Sequence, residues 1–191
     1  ASVNHVLASR GRSALEENVI RKLVGHGLLS LMEAVLPDSD PAENAKRYGE
    51  HHPSVLASHT FLLPKVREGL EALKQAGLKM GVCSNKPSLF TRPLLDILEI
   101  TPYFTTVFGP EECGAAKPNP AMIHRSRELM GATAKETLYV GDMLVDIETG
   151  RNAGVETWVM PTGSHDELTL QSAKPAQLLP DFDAVVRLVL A

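Results

Sequence analysis

The segment Thr137-Leu138-Tyr139-Val140-Gly141-Asp142-Met143-Leu144-Val145-Asp146 constrains this chain most. An apolar run long enough for one strand ends in Gly141-Asp142, and a helical apolar pattern closed by Gly154 begins at once. A strand passing directly into a helix is the unit of an open, mostly parallel α/β sheet, and such sheets bind ligands outside the carboxyl ends of their strands. Two carboxylates four residues apart therefore fall at a place where chemistry is done. Asp142 sits where the strand opens, and Asp146 returns to the same place from the first helical turn.

The pattern repeats upstream. From Pro64 onward helix and strand alternate. Val66, Leu70 and Leu73 mark a helix closed by Gly77, and Leu78–Cys83 reads as a short buried parallel strand. A helix carrying Phe90, Leu94, Ile97 and Leu98 on one face follows, with Pro93 requiring a start near Thr91 or a bend. Thr106–Phe108 is a brief strand, the Glu111–Pro120 loop leads to a helix ending at Met130, and Leu138–Val140 and Glu156–Met160 are strands. Helices near 166–172 and over Phe182–Leu190 finish the chain. The predicted fold is α/β, a Rossmann-like, mostly parallel sheet flanked by helices. Residues 1–62 show helical stripes and no strand: Val3, Val6 and Leu7; then Val19, Ile20, Leu23 and Val24; then Leu28, Leu29, Leu31, Met32, Val35 and Leu36. Asp40 is the expected N-cap of the next helix. The expected division is a small helical cap over 1–62 and an α/β core over 63–191.

Composition removes several function classes. A net charge of −4 leaves no electrostatic footprint for nucleic acid or anionic lipid. No apolar run approaches the roughly 18 residues that cross a bilayer, and no basic-then-apolar leader is visible. Two cysteines, Cys83 and Cys113, do not make a disulfide framework, which fits a cytoplasmic setting.

Three strand ends carry candidate chemistry. Ser84 follows its strand directly, and its hydroxyl suits a phosphate oxygen or a turn; Asn85 and Lys86 lead into a helix N-terminus that favours anions. Lys117, between Ala115-Ala116 and Pro118, suits a phosphoryl group, with Pro118 and Pro120 holding the backbone. Asp142 suits Mg²⁺, a hard cation that takes few carboxylates and keeps waters; Asp146 suits the same ion, a helix cap or a lysine partner. Glu111 and Glu112 read as solvated. Among the histidines, His51, His52, His5, His59, His124 and His165 assemble no metal site and are expected at the surface.

In order, Cys83-Ser84-Asn85-Lys86-Pro87, Lys117-Pro118 and Gly141-Asp142 through Asp146 resemble the second, third and fourth motifs of the haloacid dehalogenase-like hydrolase superfamily, within it the phosphoglycolate phosphatase-like group. The resemblance covers essentially the whole chain, with residues 1–62 similar to that group's cap. It implies a Mg²⁺-dependent phosphatase acting on a small phosphorylated metabolite, phosphoglycolate being the leading choice, through an aspartyl-phosphate. Ser84 and Asn85 would bind phosphate, Lys117 would stabilise the phosphoryl group, and Asp142 with Asp146 would serve the metal. Val24-Gly25-His26-Gly27-Leu28 resembles the cap-helix entry that faces substrate, which makes Gly25, His26 and Gly27 substrate contacts. The resemblance implies a monomer or homodimer. The Gly-Asp-centred fourth motif favours phosphoryl transfer over dehalogenation.

One departure matters. The superfamily's first motif, a strand ending in Asp-x-Asp-x-Thr that supplies the nucleophile, is not found in these residues. Asp181-Phe182-Asp183 has the spacing but opens a helix. Residue 1 matches a point partway along the first cap helix, so the expectation is a longer natural protein and no turnover by this chain as written. A central strand would be missing, leaving its two neighbours with unpaired edges. A phosphomutase and a non-catalytic phosphate-binding protein are the alternatives.

Overall fold

The structure, a computed structural model, describes residues 1–58 and 60–191; His59 lies outside the described residues. Four helices come first: α1 (Ser2–Ser9), α2 (Glu17–Leu23), α3 (Leu28–Val35) and α4 (Pro41–Leu56). Val3, Val6 and Leu7 stand at i, i+3 and i+4 on α1, so they share one face and meet Leu31, Met32 and Leu36 in a buried cluster. Asp40 caps α4 as expected, its carboxylate accepting from the Ala42 amide at 2.9 Å, with Pro41 in the first turn where its missing N–H costs nothing. The α2 stripe is weaker than its spacing predicts. Ile20 and Leu23 reach the cluster, but Val19 and Val24 stay exposed.

Strands and helices then alternate: α5 (Val66–Gln75), β1 (Met80–Cys83), α6 (Ser88–Ile97), β2 (Phe104–Phe108), α7 (Pro110–Cys113), α8 (Ala121–Met130), β3 (Leu138–Gly141), α9 (Leu144–Ala153), β4 (Glu156–Val159), α10 (Glu167–Ser172), β5 (Gln177–Leu178) and α11 (Phe182–Val189). Every strand pairing among the described residues is parallel, so all carboxyl ends point the same way. They form two sheets, β1-β2 and β3-β4-β5, rather than the single sheet expected. Helix α8 packs against β1, β2 and α9 and so ties the two sheets together. Among the described residues β1 pairs only with β2, and β3 only with β4. With one neighbour, β1 is at best half-buried, not the fully buried strand its sequence predicts.

Smaller differences have local causes. β1 starts at Met80, not Leu78, because the Leu78 amide donates to the Leu73 carbonyl (3.1 Å) and closes α5, while Gly77 takes φ +80°. Helix α6 begins at Ser88 and contains Pro93; its buried residues include Phe90 and Leu95, while Ile97 is exposed. β5 was missed because two residues show no periodicity. Asp181 caps α11 by accepting from the Ala184 amide (2.8 Å), which accounts for the Asp-x-Asp spacing there without catalysis.

Candidate active site

Ser84 extends β1 by one bond, its amide donating to the Phe108 carbonyl (3.1 Å), and its Oγ accepts from the Lys86 amide at 3.1 Å. The hydroxyl thus closes the turn through a lone pair and keeps its proton for a ligand. Asn85 is buried and clamps three segments. Its Nδ2 donates to the carbonyls of Gly25 (2.9 Å) and Lys117 (3.1 Å), and its Oδ1 accepts from the Lys117 amide (2.7 Å). Both side-chain amide hydrogens are thereby committed to backbone carbonyls, and Asn85 borders the cavity described below.

The Asn85 clamp and a cis Lys117–Pro118 peptide deliver Lys117 inward. Its side chain is 11 % exposed, and Nζ donates to Asp146 Oδ1 at 2.7 Å and to the Tyr139 hydroxyl at 3.3 Å. Asp146, 4 % exposed, is saturated: Oδ1 also accepts from the Tyr139 hydroxyl (2.9 Å), and Oδ2 accepts from the amides of Asp142 (3.1 Å) and Met143 (3.0 Å) at the start of α9. Of the roles open to Asp146, the geometry therefore has capping and lysine pairing, and the direct metal ligand is corrected. Gly141 is required for this fold-back, since a Cβ there would collide with the Asp146 side chain.

Asp142 is the free acid. No other residue's hydrogen bond reaches its carboxylate among the described residues. Burial, then the neighbouring Asp146 charge, raises its pKa above the ordinary carboxylate value, and Lys117 offsets part of this. A divalent cation would repay that cost. One half-buried carboxylate with room for water and a ligand oxygen fits Mg²⁺, although no cluster of three acidic, histidine or cysteine groups stands among the described residues. Tyr139 is pushed well above its usual pKa, by burial first and then by Asp146, so it stays a proton donor to that carboxylate.

Ser84, Lys117, Asp142 and Asp146 border one cavity of ≈ 350 Å³, roofed by Gly25, Gly27 and Leu28 from the helical segment. His26 does not border it; its side chain is exposed, which corrects its expected role as a substrate contact. The cavity wall also holds residues whose side chains the sequence pattern gave no role. Lys86 and Tyr48 border it, and His52 stacks on Tyr48 (ring centroids 4.8 Å) instead of lying at the surface. Tyr48 and His52 are four apart on α4 and so share a face, a spacing that could have flagged them. Glu111 and Glu112 are not merely solvated either. Glu111 accepts from the Ser88 amide (2.5 Å) and hydroxyl (2.6 Å) at the start of α6, and Glu112 pairs with Arg92 at 2.8 Å. A separate surface hollow lined by Cys113, His124 and Glu128 lies away from this cluster.

A model of the family described as haloacid dehalogenase-like hydrolase matches residues 1–160. The chain belongs to the haloacid dehalogenase-like hydrolase family. A phosphoglycolate phosphatase of Aquifex aeolicus is 34 % identical over 138 residues, covering 72 % of this chain and 65 % of that protein. One from Agrobacterium fabrum is 28 % identical over 192 residues, 97 % of this chain and 82 % of its own length. The fold matches a crystal structure from Haemophilus somnus, described as a predicted phosphoglycolate phosphatase, with TM-score 0.92 and 24 % identity over 98 % of this chain and 88 % of that one. Membership gives the α/β architecture its precedent. No helix among the described residues is long and apolar enough to cross a membrane.

Proposed function

We propose that the protein is a Mg²⁺-dependent phosphatase of small phosphomonoesters, phosphoglycolate first among them, working through an aspartyl-phosphate in the cytoplasm. The observation that carries the reading is the meeting of Ser84, Lys117 and Asp142 at one cavity. Relatives named phosphoglycolate phosphatase support the substrate choice. The Ser84 hydroxyl donates to a phosphoryl oxygen, and the Lys117 ammonium holds charge that builds on the group in transit. Asp146 and Tyr139 keep that ammonium aimed, since their oxygens lie at 2.7 and 3.3 Å. Asp142 would hold Mg²⁺, which supplies positive charge to the ester oxygens.

Residues 1–62 act as the cap over the core of 63–191, with Gly25 and Gly27 at its rim, excluding water from the reaction. The route also needs a nucleophilic aspartate, and none of the residues described above is assigned that role. The test is hydrolysis of phosphoglycolate and p-nitrophenyl phosphate by the full-length protein with Mg²⁺. Asp142→Ala should abolish it, and full activity in that variant would refute the metal assignment. Conserved phosphate on a sugar phosphate, with none released, would mark a mutase instead.

A further inference from the structure

Two lysines border the cavity, and they are held in opposite ways. Lys117 is matched by the Asp146 carboxylate at 2.7 Å. Lys86 is matched by no carboxylate among the described residues; its Nζ makes one hydrogen bond, to His52 Nε2 at 3.0 Å. Burial alone lowers its pKa, which agrees with the lack of a compensating acid. The imidazole is fixed on every side. Its Nδ1 lies 3.2 Å from Ser2 Oγ, its face stacks on Tyr48, and Phe90 meets it edge-on at 4.9 Å. Burial, the Lys86 charge and His51 lower the His52 pKa to about 4, so near neutrality the ring is uncharged and accepts the ammonium proton.

A neutral acceptor fixes the position of a cation and leaves its charge intact, whereas a carboxylate would cancel it. Lys86 follows Ser84 by two residues, and both border a small cavity with apolar walls at Val24, Leu31 and Phe90. A ligand whose phosphate engages Ser84 and Lys117 would meet, at Lys86, a partly desolvated positive charge that has no carboxylate partner among the described residues. An uncompensated buried charge costs free energy until an anion arrives, so the site is complementary to a second negative group.

We propose that Lys86 is a second-anion subsite of this cavity, selecting phosphomonoesters that also carry a carboxylate, and that His52 is the positioning residue that fixes its ammonium without neutralising it. This rests on the phosphatase reading of the same cavity. The experiment is calorimetric titration of the full-length protein, with Mg²⁺, against three ligands it cannot hydrolyse: inorganic phosphate, propylphosphonate and 3-phosphonopropionate. Wild type should bind all three, the carboxylate-bearing one most tightly. Lys86→Met should cost 3-phosphonopropionate roughly 10- to 100-fold, the worth of a charged hydrogen bond, and leave the other two within about 2-fold.

His52→Gln, which keeps an acceptor, should retain the preference; His52→Glu, which supplies a carboxylate, should lose it although Lys86 remains. Circular dichroism of each variant against wild type separates lost selectivity from lost folding. Equal weakening of all three ligands by Lys86→Met would make Lys86 part of the phosphate grip and overturn the proposal, as would no weakening at all. Equal loss in His52→Gln and His52→Glu would reduce His52 to packing. A wild type that binds phosphate and propylphosphonate but shows no carboxylate preference removes this inference alone. One that binds none of the three removes the phosphatase reading as well.

Discussion

Replacing Asp146 with asparagine tests whether this acid is a structural anchor. Its carboxylate accepts from Lys117, Tyr139 and two backbone amides, and the Lys117 and Asp146 side chains are only 11 % and 4 % exposed. Asparagine keeps an oxygen for the amides at the start of α9 but sets an NH₂ or a neutral oxygen against the Lys117 ammonium. An unpaired charge is left buried, which costs about 3–5 kcal/mol. For a chain of this size that is a fall of roughly 6–20 °C in melting temperature. Lys117→Met should cost less, because Asp146 keeps three donors. The double variant should be more stable than the sum of the single losses implies, by about 1–3 kcal/mol, since no charge is then stranded. Urea unfolding of the four proteins, with Mg²⁺ absent, reads the cycle. Additivity within about 0.5 kcal/mol would refute the ion pair as an anchor. An Asp146→Asn protein of wild-type stability that had lost only Mg²⁺ affinity would restore the metal-ligand role.

Two further outcomes follow from the geometry. Glu111→Ala should cost about 0.5–2 kcal/mol by urea unfolding, the range for removing a helix-start acceptor. Burial pushes the Glu111 pKa up, but hydrogen bonds from Ser88 and the Leu89 amide outweigh it, so the net shift is down. Its contribution is therefore present above the unfolded value of 4.5 and lost as pH falls through the lower folded value, and the variant should lack that loss. His52 has a folded pKa of about 4 against 6.5 unfolded, so its contribution is complete above 6.5 and lost as pH falls from 6.5 towards 4. Wild type should therefore lose stability relative to His52→Phe as pH falls from 6.5 towards 4, read from melting curves of the two proteins; a wild type that holds or gains stability relative to the variant on acidification would contradict the neutral imidazole.

What the sequence made legible was the part governed by local rules. Strand-then-helix texture, Asp40 as a cap, Gly77 and Gly154 as left-handed stops, and the placement of Ser84 and Asp142 just past strand ends all depend on short-range patterns, and the structure bears them out, whereas Lys117 lies in the loop between α7 and α8. Partnership across the chain was not legible. Nothing within a few residues of Asn85 says that its amide will bind carbonyls at Gly25 and Lys117. The same holds for Glu111, whose partner Ser88 lies 23 residues away, and for Lys86 and His52, which are 34 apart. His26 failed for a related reason: the glycines on both sides turn the backbone toward the cavity, and the side chain between them points out.

The most direct measurement is a crystal structure of the full-length protein grown with phosphate and Mn²⁺, using anomalous scattering to locate the metal in place of Mg²⁺. One anomalous peak should lie within ordinary carboxylate–metal distance of Asp142, with phosphate bonded to Ser84 Oγ and Lys117 Nζ and with Asp146 still on Lys117. Metal and phosphate bound away from the Ser84–Lys117–Asp142 cavity would contradict the account.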